Sequence, residues 1–151
     1  QPVFGLIYQP ITEQAWWGGV NYGAYYGKPA DFRPLPHAEL GGSLMALGSR
    51  RSRWQGLWRE RLAAAGFAVE TRSVGSALKF AHLAQGLGDL YPRLGPTSEW
   101  DTAAPQAILE QTGGAITQWD GKPLIYGKKN MLNPHFVAVR DKLLLPVLLD
   151  Q

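Results

Sequence analysis

Residues 3–8, 14–20 and 21–26 concentrate β-branched and aromatic side chains in short runs separated by the turn signals QPIT and NYG. Three such runs in succession predict consecutive antiparallel strands. The segment 27–36, GKPADFRPLP, has three prolines and predicts a loop at the boundary between two structural units. Beyond it the apolar period changes. Residues 44–48 predict a short strand, and Trp54, Leu57, Trp58, Leu62 and Ala65 recur at helical spacing across 52–65, ahead of the terminating Gly66. FAVETRS (67–73) predicts the next strand. VGSALKFAHLAQGLG (74–88) predicts a Gly-Ser loop entering a helix that stops at Gly86 or Gly88, and DLYPRL (89–94) a buried strand.

A further helix is predicted from 100 to 112, with Ala103, Ala104, Ala107, Ile108 and Gln111 along one side and Gly113-Gly114 as its C-terminal stop. Small residues on that side predict close packing. AITQWDGKPLIYG (115–127) predicts two strands around an Asp120-Gly121 turn, and FVAVRD (136–141) another strand. Strands alternating with helices are the grammar of an α/β layer. The expected fold class is therefore α/β, α+β overall, with strands and linker over 1–36 and an α/β domain over 37–151.

Composition narrows the function classes. At 151 residues, 45% hydrophobic and 18% charged, the chain can bury a real core and is not a disordered tract. Its longest apolar run, 143–149, is broken by Pro146, so no transmembrane segment is expected. The decapeptide QPVFGLIYQP lacks the flanks of a signal peptide and reads as a strand entered in mid-fold. Cysteine is absent, which removes disulfides and thiolate metal sites and makes the cytoplasm the default, with a peripheral position at the inner membrane as the alternative. The net charge of +3 collects in GSRRSRWQGLWRER (48–61). A solvated basic helix face is favoured there over a nucleic-acid patch, because interleaved aromatic and basic positions are missing.

Two motifs bear on chemistry. Ser98 and Asp101 are spaced S-x-x-D, a capping box at the start of a helix. Asp101 is also a hard oxygen donor in a loop crowded with Arg93, Thr97, Ser98 and Glu99, though Mg²⁺ needs more than one such ligand. Gly75-Ser76 stands at a helix start, where an anion or a plain serine cap are the competing readings, and Lys79 one turn later is either a ligand or a solvated lysine. His37, His82 and His135 form no zinc spacing, and neither a G-x-S-x-G elbow nor a P-loop occurs.

EWDTAAPQAILEQTGG resembles the C-terminal signature of the inositol monophosphatase superfamily of metal-dependent phosphatases. GSALKF, DLYPRLGPTSEWDTAA, DGKPLIY and LNPHF are similar to its bacterial 3′(2′),5′-bisphosphate nucleotidase branch, and LIYQPITEQAWWGGVNYGAYYG to strands closing that family's first domain. The resemblance implies an α/β/α layered domain of the sugar-phosphatase fold and Mg²⁺-dependent hydrolysis of 3′-phosphoadenosine 5′-phosphate, with inositol or fructose phosphates as the alternative substrates. It implies Asp101 as a metal ligand that also lies against substrate, and Gly75, Ser76, Lys79, Arg93, Thr97, Ser98 and Glu99 as residues shaping the substrate pocket.

The family's D-P-x-D-G-[TS] motif and its upstream Glu-Glu pair find no match in this sequence. The resemblance thus implies a C-terminal portion whose partner is the N-terminal half, in the same or a separate chain. The alternative is a noncatalytic unit that packs against such a partner.

Overall fold

The computed structural model describes residues 1–37, 39–52 and 56–149. Four strands come first: β1 (Phe4–Gln9), β2 (Gln14–Gly19), β3 (Gly23–Lys28) and β4 (Asp31–Pro34) form an antiparallel sheet in sequential order. The fourth strand corrects the sequence expectation of a loop over 27–36. Asp31 pairs with Lys28 and Pro34 with Tyr25. A proline-bearing segment is tolerated because β4 is an edge strand, where a missing N–H interrupts no ladder.

The second sheet contains β5 (Ser43–Gly48), β6 (Ala68–Ser73), β7 (Leu90–Arg93), β8 (Ala115–Gln118) and β9 (Phe136–Val139) in the order β6-β5-β7-β9-β8. β5 runs parallel to β6 and β7, and β9 antiparallel to β7 and β8. The helices are α1 (Leu57–Ala64), α2 (Leu78–Gln85), α3 (Glu99–Leu109) and α4 (Leu145–Leu148). Alternation along the strands separates two cores. Leu44 and Ala46 of β5 and Val137 and Val139 of β9 face Trp58, Leu62 and Leu148, whereas Leu47, Tyr91, Phe136 and Ala138 face Phe80, Leu83 and Ile108. Helices thus cover both faces of the second sheet, as an α/β/α layering requires.

The second of these cores continues through Ile7, Trp16 and Ala24 of the first sheet. At its seam, an added Cβ on Gly5 would lie 2.0 Å from the carbonyl oxygen of Ala104. Main chain of β1 meets main chain of α3, the close packing predicted by the small residues of that helix.

Three other expectations change. α1 begins at Leu57, behind Gly56, so Arg50 and Arg51 precede the helix; Trp54 and Arg53 lie outside the described residues. Within α1, the Arg61 Nη1 group donates to the Leu148 carbonyl at 2.7 Å and Arg59 Nη2 to the Val69 carbonyl at 3.2 Å. The basic stretch is therefore not a plain solvated helix face. After β8, the Asp120-Gly121 turn closes with Gln118 N–H to Lys122 O at 2.9 Å, but the returning arm is only a bridge at Pro123. Proline cannot donate to a ladder, and the chain instead sinks Leu124 into the core and leads Tyr126 to α3, where its hydroxyl donates to Gln106 Oε1 at 2.6 Å. Among the described residues, no helix is long and apolar enough to cross a membrane.

Candidate active site

The parallel strands β5, β6 and β7 end on one side of the second sheet, and the segments that follow them surround a crevice. β5 leads to α1 on one face and β7 leads to α3 on the other, so the crevice opens where successive connections diverge. Open α/β sheets bind ligands at such a position. Three hollows meet there: one of about 270 Å³ between Ser76, Lys79 and Asp101, one of about 450 Å³ past Arg51 and Arg93, and one of about 360 Å³ over Gly75 and Arg50. Ser49 borders all three.

Asp101 enters the crevice from the first turn of α3. Ser98 and Asp101 form the reciprocal capping box, and the Ser98 N–H donates to Asp101 Oδ2 at 2.8 Å. That bond fixes the carboxylate plane. Oδ1 has no protein donor among the described residues, so the exposed side chain retains one hard oxygen for a cation. This donor fits one position of a Mg²⁺ shell. Among the described residues no group of three His, Cys, Asp or Glu gathers to hold a metal, so a cation at Asp101 would need ligands beyond these.

Lys79 is 4% exposed, which corrects the solvated reading. Its Nζ donates to the Val74 carbonyl at 3.0 Å and stands 5.1 Å from the centre of the Tyr91 ring. Burial pushes the ammonium pKa down, the Arg93 charge adds to the effect, and Asp101 opposes it. Arg93 ends β7; its Nη2 donates to the Pro96 carbonyl at 3.0 Å, while its Nε is buried without a partner. Two cations beside one carboxylate leave the hollow with surplus positive charge, suited to an anion larger than the aspartate alone can offset.

Ser76 does not cap α2, which corrects the plain N-cap reading: the cap position is Ala77 and no side chain satisfies it. Ser76 instead adopts φ 45°, a left-handed conformation uncommon outside glycine and asparagine. Its hydroxyl is thereby released from capping and borders the same hollow as Lys79 and Asp101. A Cβ on Gly75 would meet nothing within 4 Å, so the glycine leaves open space at the mouth.

Thr97 borders the hollow with Asp101, and Ser98 sits half-buried beneath it as the cap. Glu99 turns elsewhere. Its carboxylate accepts from the Gly127 and Lys128 N–H groups at 2.8 and 3.1 Å and from Lys128 Nζ at 2.6 Å. These donors hold its pKa down to about 2, the Lys128 ammonium first among them. The crevice thus unites Ser76, Lys79, Arg93, Thr97 and Asp101, with Gly75 in the adjoining hollow, and leaves Glu99 out, tied to Gly127 and Lys128.

Sequence reasoning overlooked Ser49, Tyr91 and Asn133. Ser49 directly follows a strand that proves parallel, and its place after Gly48 was the available signal. Tyr91 supplies the face under Lys79. Asn133 lies in the family-like LNPHF segment, but nothing local gives it a role; its amide reaches Thr97, Ser98 and Thr102 from 31 or more residues away in sequence.

The sequence profile described as the inositol monophosphatase family matches residues 1–148. The chain is 36% identical over 141 residues to the 3′(2′),5′-bisphosphate nucleotidase CysQ of Shigella flexneri, covering 90% of this chain and 54% of that protein. It is 48% identical over 68 residues to the CysQ of Escherichia coli K12, covering 44% of this chain and 28% of that protein. The crystal structure of CysQ from Bacteroides thetaiotaomicron, a bacterial member of the inositol monophosphatase family, superimposes with a TM-score of 0.75 at 28% identity over 93% of this chain and 59% of that one. The chain spans about half the length of the Shigella relative. With its two sheets, its capped aspartate and a profile match along nearly its whole length, this chain belongs to the inositol monophosphatase family.

Proposed function

We propose that this chain is the C-terminal portion of a Mg²⁺-dependent phosphatase that hydrolyses the 3′-phosphate of 3′-phosphoadenosine 5′-phosphate to AMP and phosphate. The observation that carries the proposal is the convergence of a half-free carboxylate, Asp101, with the cations Lys79 and Arg93 in one hollow. When bound, Mg²⁺ supplies charge neutralisation and a more acidic water. Asp101 Oδ1 would be one of its ligands. Lys79 and Arg93 would hold phosphate oxygens, and the Ser49 and Ser76 hydroxyls would orient them. Two cations flanking one carboxylate suit a substrate with more than one phosphate, which favours the bisphosphate nucleotide over inositol monophosphate.

The test is phosphate release by the protein with its first-domain half supplied, in the same chain or as a second polypeptide. 3′-Phosphoadenosine 5′-phosphate should give the highest kcat/KM in a panel with inositol monophosphate and fructose 1,6-bisphosphate. A preference for either sugar phosphate would transfer the reading to the alternative within the family.

A second reading, a noncatalytic unit that pairs with a separate N-terminal half, is favoured by the outer face of the first sheet. Leu6, Trp17, Tyr25 and Pro34 face one another across its four strands, and Phe4, Leu6, Tyr8, Tyr22 and Phe32 are each more than half exposed. An apolar face of this extent marks an interaction surface. In this reading the isolated chain binds the N-terminal half through that face and releases no phosphate without it. Leu6→Lys with Trp17→Lys should abolish co-purification of the two halves; undiminished pairing would overturn it.

A further inference from the structure

We propose that Asn133 is a positioning residue for the cation ligand Asp101, an inference that rests on the metal role read for that aspartate. Asn133 is 8% exposed and lies in the segment that runs beside the loop before α3. Its main-chain N–H donates to the Thr97 carbonyl at 2.9 Å. Its side-chain Nδ2 lies 2.8 Å from the Ser98 carbonyl, 3.0 Å from Thr102 Oγ1 and 3.2 Å from Thr97 Oγ1. One amide therefore grips the residues before and after Asp101 at once.

Ser98 is the decisive contact. Its carbonyl accepts from Asn133, and its N–H donates to Asp101 Oδ2. Asn133 thus fixes the residue that fixes the carboxylate, and with it the direction of Oδ1. The partners explain the residue type. Three oxygens converge on a buried point, which calls for a short neutral donor. A lysine would be too long and would bury a charge. The Asn133 Oδ1 atom, by contrast, is buried with no partner, so the amide serves through its donating end alone. Pro134 follows and biases Asn133 toward the extended backbone that aligns it with the loop.

A second fastening on the same loop supplies the control. Lys128, from the same neighbouring segment, binds Glu99 and makes no hydrogen bond to Ser98 or Asp101. Both fastenings hold the loop, but only Asn133 is linked to the carboxylate.

The experiment measures the Mg²⁺ dissociation constant by calorimetric titration, together with the melting temperature, in the protein with its first-domain half present. Asn133→Asp places an acceptor against the Ser98 carbonyl at unchanged size and should weaken Mg²⁺ binding at least tenfold. Lys128→Met should lower the melting temperature yet leave the Mg²⁺ constant within twofold. If Asn133→Asp does not fold, Thr102→Val removes one of the three acceptors and should weaken Mg²⁺ binding about threefold. Asp101→Asn separates the two ideas. If it leaves Mg²⁺ affinity unchanged, the metal reading of Asp101 fails. If it weakens affinity while Asn133→Asp, or Thr102→Val in its place, shifts only the melting temperature as Lys128→Met does, the positioning role is overturned.

Discussion

The main-chain N–H of Ser98 holds Oδ2 of Asp101 at 2.8 Å and leaves Oδ1, among the described residues, without a protein donor on a side chain that borders the crevice. One carboxylate thereby ends a helix and offers an oxygen to a cation. The two duties separate on substitution. Asp101→Asn keeps an oxygen for the cap and should change stability by less than about 1 kcal/mol. Phosphate release should fall at least about 100-fold, since a charged metal ligand is lost. Paired thermal denaturation and steady-state assays check both expectations, and retained turnover would remove Asp101 from the metal site.

Lys79→Met keeps most of the volume and the ring contact with Tyr91 while deleting the charge. The fold already pushes the Lys79 ammonium toward neutrality by burial, so the charged form is held at a cost below its folded pKa and the cost fades as pH rises above it. The variant should therefore be as stable as the parent near neutral pH, or more so. Its affinity for AMP, measured by titration calorimetry, should fall on the order of 10- to 100-fold, the loss expected for one charge-assisted hydrogen bond.

Glu99 provides a pH signature apart from catalysis. Its folded pKa, about 2, lies below the ordinary 4.5. A depressed carboxylate contributes stability that is present above the unfolded value and is lost as pH falls through the folded one. The tether to Gly127 and Lys128 should accordingly hold at neutral pH and loosen between about 4.5 and about 2. Amide exchange at Gly127 and Lys128 should accelerate across that window in the parent and be fast throughout in Glu99→Gln.

Gly5→Ala probes the seam between β1 and α3. The added Cβ would fall within 2.0 Å of the Ala104 carbonyl oxygen, and neither backbone can yield without moving an element. Overpacking of this kind costs about 1–3 kcal/mol and more when backbone must shift. Urea denaturation should show that loss, whereas Gly75→Ala, whose Cβ meets open space, should unfold like the parent.

Much of this was legible in the chain. EWDTAAPQAILEQTGG announced a capped helix, its small residues and its glycine stop, because each of those signals is local. Strands β1 to β3 and β5 to β7 were equally plain from their apolar runs. The misreadings share a cause in tertiary context. β4 exists because an edge position forgives Pro34. The second arm of the 115–127 hairpin is lost because Leu124 and Tyr126 gain more from the core and Gln106 than from a ladder. Ser76, open to reading as a cap or an anion site, is a left-handed turn that caps nothing, and Lys79, open to reading as a ligand or a solvated lysine, is buried on Tyr91, a residue brought to it by a different strand. The role of Asn133, inside the family-like LNPHF, was hidden for the same reason, since its partners are distant in sequence.

The core that runs from Leu47 and Phe80 through α3 to Trp16 and Ala24 has a kinetic corollary. A hinge needs a seam with few packed contacts, and the junction of the two sheets is filled by a helix whose backbone touches a strand. Wide domain closure is thereby denied to this part of the molecule. Under the proposed function, exchange of ligand at the crevice would fall to the short connections around it, not to a swing of one sheet against the other.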